Sequence, residues 1–296
     1  MIYDCVIIGG GIAGLQAAIQ LGRYDHTVLV IDADEGRSVW CKTYHNVLGW
    51  PDGISGEELR HAGRKQAREV GVFFVKDIVT SIQSPSPFKI DTKTGQQYSA
   101  RRLLISTGVK DRLPDIPHLK DCLGISVYVC PDCDGYEIKD EPSFVIGSGN
   151  AGANMALELT YWNRDLVYIN HEEEEVNREL LNKLKHNEIQ YIQKPVSEIL
   201  MNDHMNLIGL RLDNGKEIFR RKGFVAFGGN KVESSLAKQL GVELLENKHI
   251  LVDSRTKETN VKHVWAAGDV VAHSEQVTIA MGDGSQVAIW IHKSLR

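Results

Sequence analysis

A short apolar strand, a glycine-rich turn and a helix-forming stretch follow one another twice in this chain. That repeat constrains the fold more than any other feature. Val6-Ile7-Ile8 runs into Gly9-Gly10-Gly11-Ile12-Ala13-Gly14 and then a helical stretch from Leu15 to Leu21. Phe144-Val145-Ile146 runs into Gly147-Ser148-Gly149-Asn150-Ala151-Gly152 and then Ala153 to Leu159. Both read G-x-G-x-x-G between a strand and a helix, the context that lifts this motif above background. The first glycine permits the tight turn, and the second lets backbone N–H groups approach a pyrophosphate at the helix N-terminus. The third lets helix and strand pack closely. One match is also met as a tight turn in any α/β protein. A second in register, with Ala18 matching Ala156 and Leu21 matching Leu159, selects two dinucleotide sites. The fold class expected is α/β, with two Rossmann-like, doubly wound, three-layer domains.

The strands that follow the two fingerprints end differently. Thr27 to Ile31 runs into Asp32, placed where an acidic side chain accepts hydrogen bonds from a ribose diol. At the matching point of the second unit, Leu166 to Ile169 runs into Asn170-His171-Glu172, with Glu173, Glu174 and Glu175 behind it. Carboxylates repel the 2′-phosphate of NADPH, which arginines ordinarily hold. The same acidic run also suits a solvated helix start, where carboxylates meet the positive end of the dipole.

Length and composition exclude other classes. With 296 residues, 42% hydrophobic and 25% charged, the chain has the usage of a globular protein of two domains, not a disordered one. Its formal net charge of -5 leaves no basic excess for phosphate neutralisation, so nucleic acid is not an expected partner. The N-terminus lacks a basic region before its glycines, and no apolar run reaches the ~20 residues that span a bilayer. The expectation is a cytoplasmic protein with no membrane partner. Glu57 to Val70 reads as a surface helix and Gly71 to Ile82 as an extended segment. Phe88 to Ile90 and Leu103 to Ser106 read as antiparallel strands, and Gly284 to Leu295 as a final helix. Chain breaks are expected at Leu113-Pro114-Asp115-Ile116-Pro117 and near Gly228-Gly229-Asn230.

Five cysteines, Cys5, Cys41, Cys122, Cys130 and Cys133, are too few for a disulfide scaffold at this length. One close pair fits a reducing compartment in which a paired thiol does chemistry or binds metal. Cys130-Pro131-Asp132-Cys133 follows a β-like run, Ile125 to Val129. The C-x-x-C spacing closes a small disulfide ring and lowers one thiol's pKa, as thiol–disulfide exchange requires. Asp134 follows at once and is placed to shuttle the proton that leaves or returns with each thiol. The competing use is zinc, drawing on His118 and Cys122. Tetrahedral sites ordinarily show a second tightly spaced ligand pair, which this stretch lacks, so no metal is expected.

The order of these elements resembles the low-molecular-weight thioredoxin reductases among the FAD-dependent pyridine nucleotide-disulfide oxidoreductases, over nearly the whole chain. Gly9, Gly11 and Gly14 with Asp32 match that family's FAD fingerprint, and Ser106-Thr107-Gly108 its exit segment from the FAD domain. Cys130-Pro-Asp-Cys133-Asp134-Gly135 matches its redox centre, and Ala267-Gly268-Asp269-Val270 its second FAD motif. Glu275-Gln276-Val277 stands where the family has Arg-Gln-Ala. The resemblance implies FAD held by Gly9, Gly11, Ile12, Ala13, Gly14, Asp32, Asn46, Thr107, Gly108, Gly268, Asp269, Gln276 and Val277. It also implies that Cys133 lies nearest the flavin, that Cys130 attacks the substrate disulfide and that Asp134 is the acid/base. A pyridine nucleotide would lie on Gly147, Gly149, Asn150, Ala151 and Gly152, with Glu172 at the ribose. The domains implied are 1–113 and 233–296 for FAD and 114–232 inserted between them, in a homodimer whose domains rotate.

The departures matter as much. The family's His-Arg-Arg clamp and a further Arg correspond here to Asn170, His171, Glu172 and Val176, so NADPH specificity is weakened and NADH is chemically easier. The stretches His45 to Gly49 and Gly135 to Asp140 look like a divergent branch. That branch includes dithiol oxidases that use oxygen, and other members resemble ferredoxin-dependent reductases. The leading expectation is an FAD enzyme passing electrons between flavin, the Cys130–Cys133 pair and a thioredoxin-like protein or small-molecule dithiol or disulfide. The alternatives are an oxygen-using dithiol oxidase, a ferredoxin-linked or ferredoxin–NAD(P) reductase, and a non-enzymatic nucleotide or metal sensor.

Overall fold

The computed structural model describes residues 1–204 and 206–296. They form two units: Met1–Val39, Val47–Lys110 and Lys231–Arg296 in the first, Trp40–Asn46 and Asp111–Asn230 in the second.

The first unit opens with β1 (Ile2–Ile8), α1 (Ile12–Arg23) and β2 (Val28–Asp32). Both strands carry four consecutive buried residues, the continuous apolar reading of strands covered on both faces. A short α2 (Arg37–Trp40) precedes α3 (Gly56–Glu69). The start of α3 is fixed by a capping box in which the Ser55 hydroxyl accepts from the Glu58 N–H and the Glu58 carboxylate accepts from the Ser55 N–H. Then come β3 (Phe73–Lys76), β4 (Val79–Gln83), β5 (Phe88–Thr92), β6 (Gln97–Ile105) and β7 (Val109–Lys110). The extended segment expected from Gly71 to Ile82 is thus two strands. The break falls where the Asp77 carboxylate takes the Ile78 N–H at 2.7 Å, removing that donor from the ladder.

The second unit contains α4 (Leu119–Cys122), β8 (Val127–Tyr128), α5 (Pro131–Asp134) and a 3₁₀ turn (Gly135–Ile138). These lead into β9 (Ser143–Gly147), α6 (Gly149–Leu159), β10 (Leu166–Asn170), α7 (Arg178–His186) and β11 (Gln190–Ile192). The strands β8, β9, β10, β11 and β15 (Lys222–Ala226) make a parallel sheet in the order β11-β10-β9-β15-β8. Between β11 and β15 in sequence, β12 (Val196–Met201), β13 (Leu207–Leu212) and β14 (Glu217–Ile218) form an antiparallel sheet. Strand β8 is shorter than the expected Ile125 to Val129, because the Ile125 and Ser126 N–H groups are spent on the Cys122 carbonyl at the end of α4.

The chain completes the first unit with β16 (Lys231–Val232), α8 (Ser235–Gln239), β17 (Val264–Ala266) and α9 (Val277–Leu295). Strand β6 divides its far edge. Gln97 to Ala100 pairs antiparallel with β5, while Leu103 to Ile105 pairs parallel with β17. The antiparallel expectation for Leu103 to Ser106 therefore fails, since those residues lie between parallel β1 and β17. Helix α9 starts at Val277, ahead of the expected Gly284, despite β-branched and glycine residues in its first turns. Tertiary packing outweighs propensity there: a Cβ at Gly284 would stand 2.4 Å from the Ala13 carbonyl oxygen of α1.

Register places the loops. Ile8, Ile105 and Ala266 are level at the C-terminal ends of β1, β6 and β17. Gly147, Asn170 and Ala226 are level at the same end of β9, β10 and β15. In open α/β sheets that edge is where ligands bind. Among the described residues, no helix is long and apolar enough to cross a membrane.

Candidate active site

In the first unit, three loops meet at the C-terminal edge of the sheet. Gly9 has φ +105°, and a Cβ there would lie 2.3 Å from the Ser106 carbonyl oxygen. The Ser106 hydroxyl donates back to the Gly9 carbonyl at 2.8 Å. A Cβ at Gly14 would lie 2.0 Å from the Gly9 oxygen, and one at Gly268 2.8 Å from the Ala13 Cβ. Gly11 differs: a Cβ there meets nothing within 4 Å. It caps α1 with no side-chain hydrogen bond, so no side chain occupies the helix start in front of it. Backbone crowded behind Gly9 and Gly14 and open in front of Gly11 is the shape a pyrophosphate requires. The first unit therefore fits FAD.

Asp32 ends β2 and is held from α3 by Arg60 Nη2 at 3.0 Å. Arg60 also meets Asp34 at 2.6 Å, and Arg64 meets Asp34 at 2.8 Å. Arg60 is nearly fully buried, and its Nε has no hydrogen-bond partner. Thr107 donates its hydroxyl to the Glu233 carbonyl at 2.6 Å, and Gly108 takes φ +69°. Asp269 receives Arg37 Nη1 at 3.2 Å, and the same guanidinium pairs with Glu275, which also meets His249 at 3.2 Å. A cation thus stands beside Asp269 although residue 275 is acidic. Gln276 caps α9 through its backbone and Val277 begins it. Asn46 belongs to the second unit.

Behind Gly268 lies a cluster that sequence reasoning missed. The buried Asp283 carboxylate accepts the Gly268 N–H at 3.0 Å and meets Lys257 Nζ at 2.8 Å and His273 Nε2 at 2.6 Å. Burial opposes its charge, but those three donors outweigh burial and hold its carboxyl below the usual range. The bond to Asp283 in turn raises His273. The available signal was one acid in an otherwise apolar, small-residue stretch, Ala280-Met281-Gly282-Asp283-Gly284.

In the second unit, Cys130 and Cys133 are disulfide-bonded across α5, with Cα atoms 5.3 Å apart. Cys130 caps the helix, accepting the Cys133 N–H at 3.2 Å, and Pro131 occupies the first turn, where its missing N–H costs nothing. The Asp134 N–H donates to the Cys130 carbonyl at 3.0 Å. Burial, reinforced by Glu137 and opposed by His45, pushes the Asp134 carboxyl up to about 7. Cys41, also in this unit, has its thiol raised to about 11 by burial and by Asp134. His118 contacts Asp121 at 3.4 Å, and Cys122 is buried. Among the described residues no group of three or more His, Cys, Asp or Glu is placed to hold a metal.

The second fingerprint has other surroundings. A Cβ at Gly149 would lie 3.1 Å from the Glu175 carbonyl and 3.2 Å from the Glu174 Cβ, where Gly11 faces nothing. The Gly149 N–H donates to the fully buried Asn170 Oδ1 at 3.0 Å, and Asn170 Nδ2 donates to the Glu174 carbonyl at 2.6 Å. Asn150 Oδ1 accepts the Asn177 N–H at 2.9 Å. Glu172 pairs with Arg112 and bonds Ser148; burial raises its carboxyl, and those two contacts more than reverse that. The 172–177 segment is thus fastened over the start of α6. Gly152 packs against the Tyr168 ring, whose hydroxyl donates to the Gly149 carbonyl at 2.7 Å.

Comparison with known proteins agrees with this geometry. A family model described as pyridine nucleotide-disulphide oxidoreductase matches residues 3–284. The chain is similar to the bifunctional thioredoxin reductase/thioredoxin of Mycobacterium leprae, at 31% identity over 97% of this chain and 65% of that protein. It therefore spans about two thirds of that relative's length. It is also similar to the thioredoxin reductase of Rickettsia felis, at 30% identity over 98% of this chain and 97% of that one. The crystal structure of HlmI superposes with a TM-score of 0.87 at 29% identity, covering 99% of this chain and 92% of the other.

Proposed function

The chain belongs to the pyridine nucleotide-disulphide oxidoreductase family, an enzyme family with FAD as cofactor, and from that premise we propose that it passes electrons between FAD, the Cys130–Cys133 pair and an external dithiol or disulfide, with a weakened or absent hold on NADPH. The observation that carries the reading is the Cys130–Cys133 disulfide at a helix N-terminus with Asp134 beside it. The C-x-x-C arrangement favours one thiolate, and a carboxyl near 7 takes or gives a proton at neutral pH with little driving force wasted.

The exchange chemistry belongs to this chain's own residues. An external thiolate attacks Cys130 Sγ, the bond to Cys133 breaks, and Cys133 leaves as a thiolate that takes the Asp134 proton. The second external thiol returns a proton to Asp134 and attacks the mixed disulfide, releasing Cys130. Two electrons and one proton have then passed from the external dithiol to the cysteine pair, and Cys130, released as a thiolate, takes from water the proton that the first external thiol lost to it. FAD, when bound, supplies the two-electron acceptor for that pair, and the residues that would hold it are Gly9, Gly11, Ile12, Ala13, Gly14, Asp32, Thr107, Gly108, Gly268, Asp269, Gln276 and Val277. The dithiol belongs to a thioredoxin-like protein or a small molecule, and the working unit is a homodimer.

The surroundings of the second fingerprint weigh against NADPH. Glu172 stands at the ribose end with Arg112 already paired to it, and the 172–177 segment lies against Gly149, on the helix start that a pyrophosphate needs. This supports a second reading in the same class, a dithiol oxidase whose flavin electrons pass to oxygen or to a protein such as ferredoxin. Anaerobic titration of the holoenzyme, followed at the flavin band, tests the proposal. Dithiothreitol is expected to bleach the band, and NADPH or NADH at equal concentration is not. Rapid bleaching by NADPH would overturn the nucleotide part.

A further inference from the structure

The first unit buries a charge that the glycine turn does not account for. Arg60 shares the buried face of α3 with Leu59, Gly63 and Ala67 and is only 4% exposed. A guanidinium is costly there unless carboxylates pair with it, and its Nε–H is left without an acceptor. An aliphatic side chain would occupy the same space without either cost. The use of the charge lies in what Nη2 holds.

Nη2 carries two hydrogens, and it meets two different carboxylates, Asp32 Oδ2 at 3.0 Å and Asp34 Oδ1 at 2.6 Å. Asp34 takes the left-handed conformation, φ +65°, and also receives Arg64 Nη2 at 2.8 Å and Lys76 Nζ at 3.3 Å. The loop after β2 is thus tied back to α3 and β3, with Arg60 at the centre of the ties. On its other side the Asp32 carboxylate lies against the glycine turn. A Cβ at Gly10 would stand 2.7 Å from Asp32 Oδ2 and 2.8 Å from its Cγ. Both guanidinium groups that approach Asp32, Arg60 at 3.0 Å and Arg64 at 3.8 Å, do so on Oδ2. Oδ2 is committed between Gly10 and Arg60, which leaves Oδ1 for a donor from outside the protein.

We infer that Arg60 is a positioning residue of the FAD site, orienting the Asp32 carboxylate so that Oδ1 accepts from the ribose diol of the adenosine half. The inference rests on the FAD site of the proposed function, with Asp32 at its ribose end. A carboxylate free to turn about its side-chain torsions loses part of the hydrogen-bond energy to being ordered, and one already fixed does not. Arginine suits this task and lysine does not. The N–H bonds of a planar guanidinium have fixed directions, whereas an ammonium acts as a point charge.

The test is equilibrium dialysis of the flavin-free protein with FAD and with an FAD analogue whose adenosine carries 2′-deoxyribose. Wild type is expected to hold FAD about tenfold more tightly than the analogue, the effect of one hydroxyl on a charged acceptor. Arg60→Met and Asp32→Asn are each expected to reduce that ratio to about twofold or less, and the double variant to fall no further, because both act through one hydrogen bond. Thermal unfolding is measured in parallel. Arg60→Lys, which keeps the buried cation, is expected to unfold near the wild-type temperature and still lose the ratio. A wild-type ratio in either Arg60 variant, or loss of the fold in both, would leave Arg60 a structural role only and overturn the inference, with the FAD site standing. Equal binding of FAD and the analogue by wild type would overturn both the inference and the placing of Asp32 at the ribose.

Discussion

Replacing Asp283 by alanine tests how the Gly268-Asp269 turn is held. The carboxylate uses both oxygens, Oδ1 on Lys257 and Oδ2 on His273 and the Gly268 N–H, and it is 5% exposed. Its loss strands a buried ammonium and an unmet N–H. Breaking a buried pair in this way costs about 3–5 kcal/mol, far more than deleting a surface carboxylate. The pH dependence follows from the two shifts. Asp283 titrates below its ordinary 3.8, so its contribution is full above that value and is lost as pH falls through the depressed one. His273 titrates above its ordinary 6.5, so its contribution is full below 6.5 and is lost as pH rises through the raised value. The gap between wild type and Asp283→Ala is therefore widest between those two ordinary values and narrows at either side. Urea unfolding followed by the near-ultraviolet signal of the buried Trp265, with FAD retention measured in parallel, reads both effects. A loss below about 1 kcal/mol at pH 6, or a gap flat with pH, would refute the reasoning.

Two further outcomes follow from distances already given. Gly14→Ala is expected to destabilise the first unit because its Cβ lands on the Gly9 oxygen. Gly11→Ala, with open space in front of it, keeps its unfolding midpoint in the flavin-free protein but binds FAD at least tenfold more weakly by equilibrium dialysis. After reduction, iodoacetamide at pH 8 is expected to modify the Cys130–Cys133 pair well before Cys41. A thiol titrating near 11 is about one part in a thousand thiolate at that pH, and time-resolved mass spectrometry gives the order of labelling.

The glycine fingerprints were legible because they are backbone demands: φ above zero at Gly9 and near-zero clearance at Gly14 exclude other residues whatever the context. The redox pair was legible because its two cysteines are local in sequence. What escaped were contacts between residues far apart in the chain. Arg60 pairs with Asp32 across 28 residues and Lys257 with Asp283 across two loops, and neither arginine nor lysine has a local signature. His45 and Glu137 stand 92 residues apart, each in a stretch that departs from the family pattern, so neither stretch alone signals the pairing. The early start of α9 was hidden for a related reason: it depends on packing against α1, which its own residues do not encode.

The central claim is that Cys130 and Cys133 carry electrons between an external dithiol and FAD. It is tested most directly by anaerobic bleaching of the flavin band with dithiothreitol in wild type, Cys130→Ser and Cys133→Ser holoenzymes of equal FAD content. The account predicts rapid bleaching in wild type and a loss of at least a hundredfold in rate in both variants. Equal bleaching in all three would contradict it, leaving a flavoprotein whose cysteine pair takes no part in the electron path.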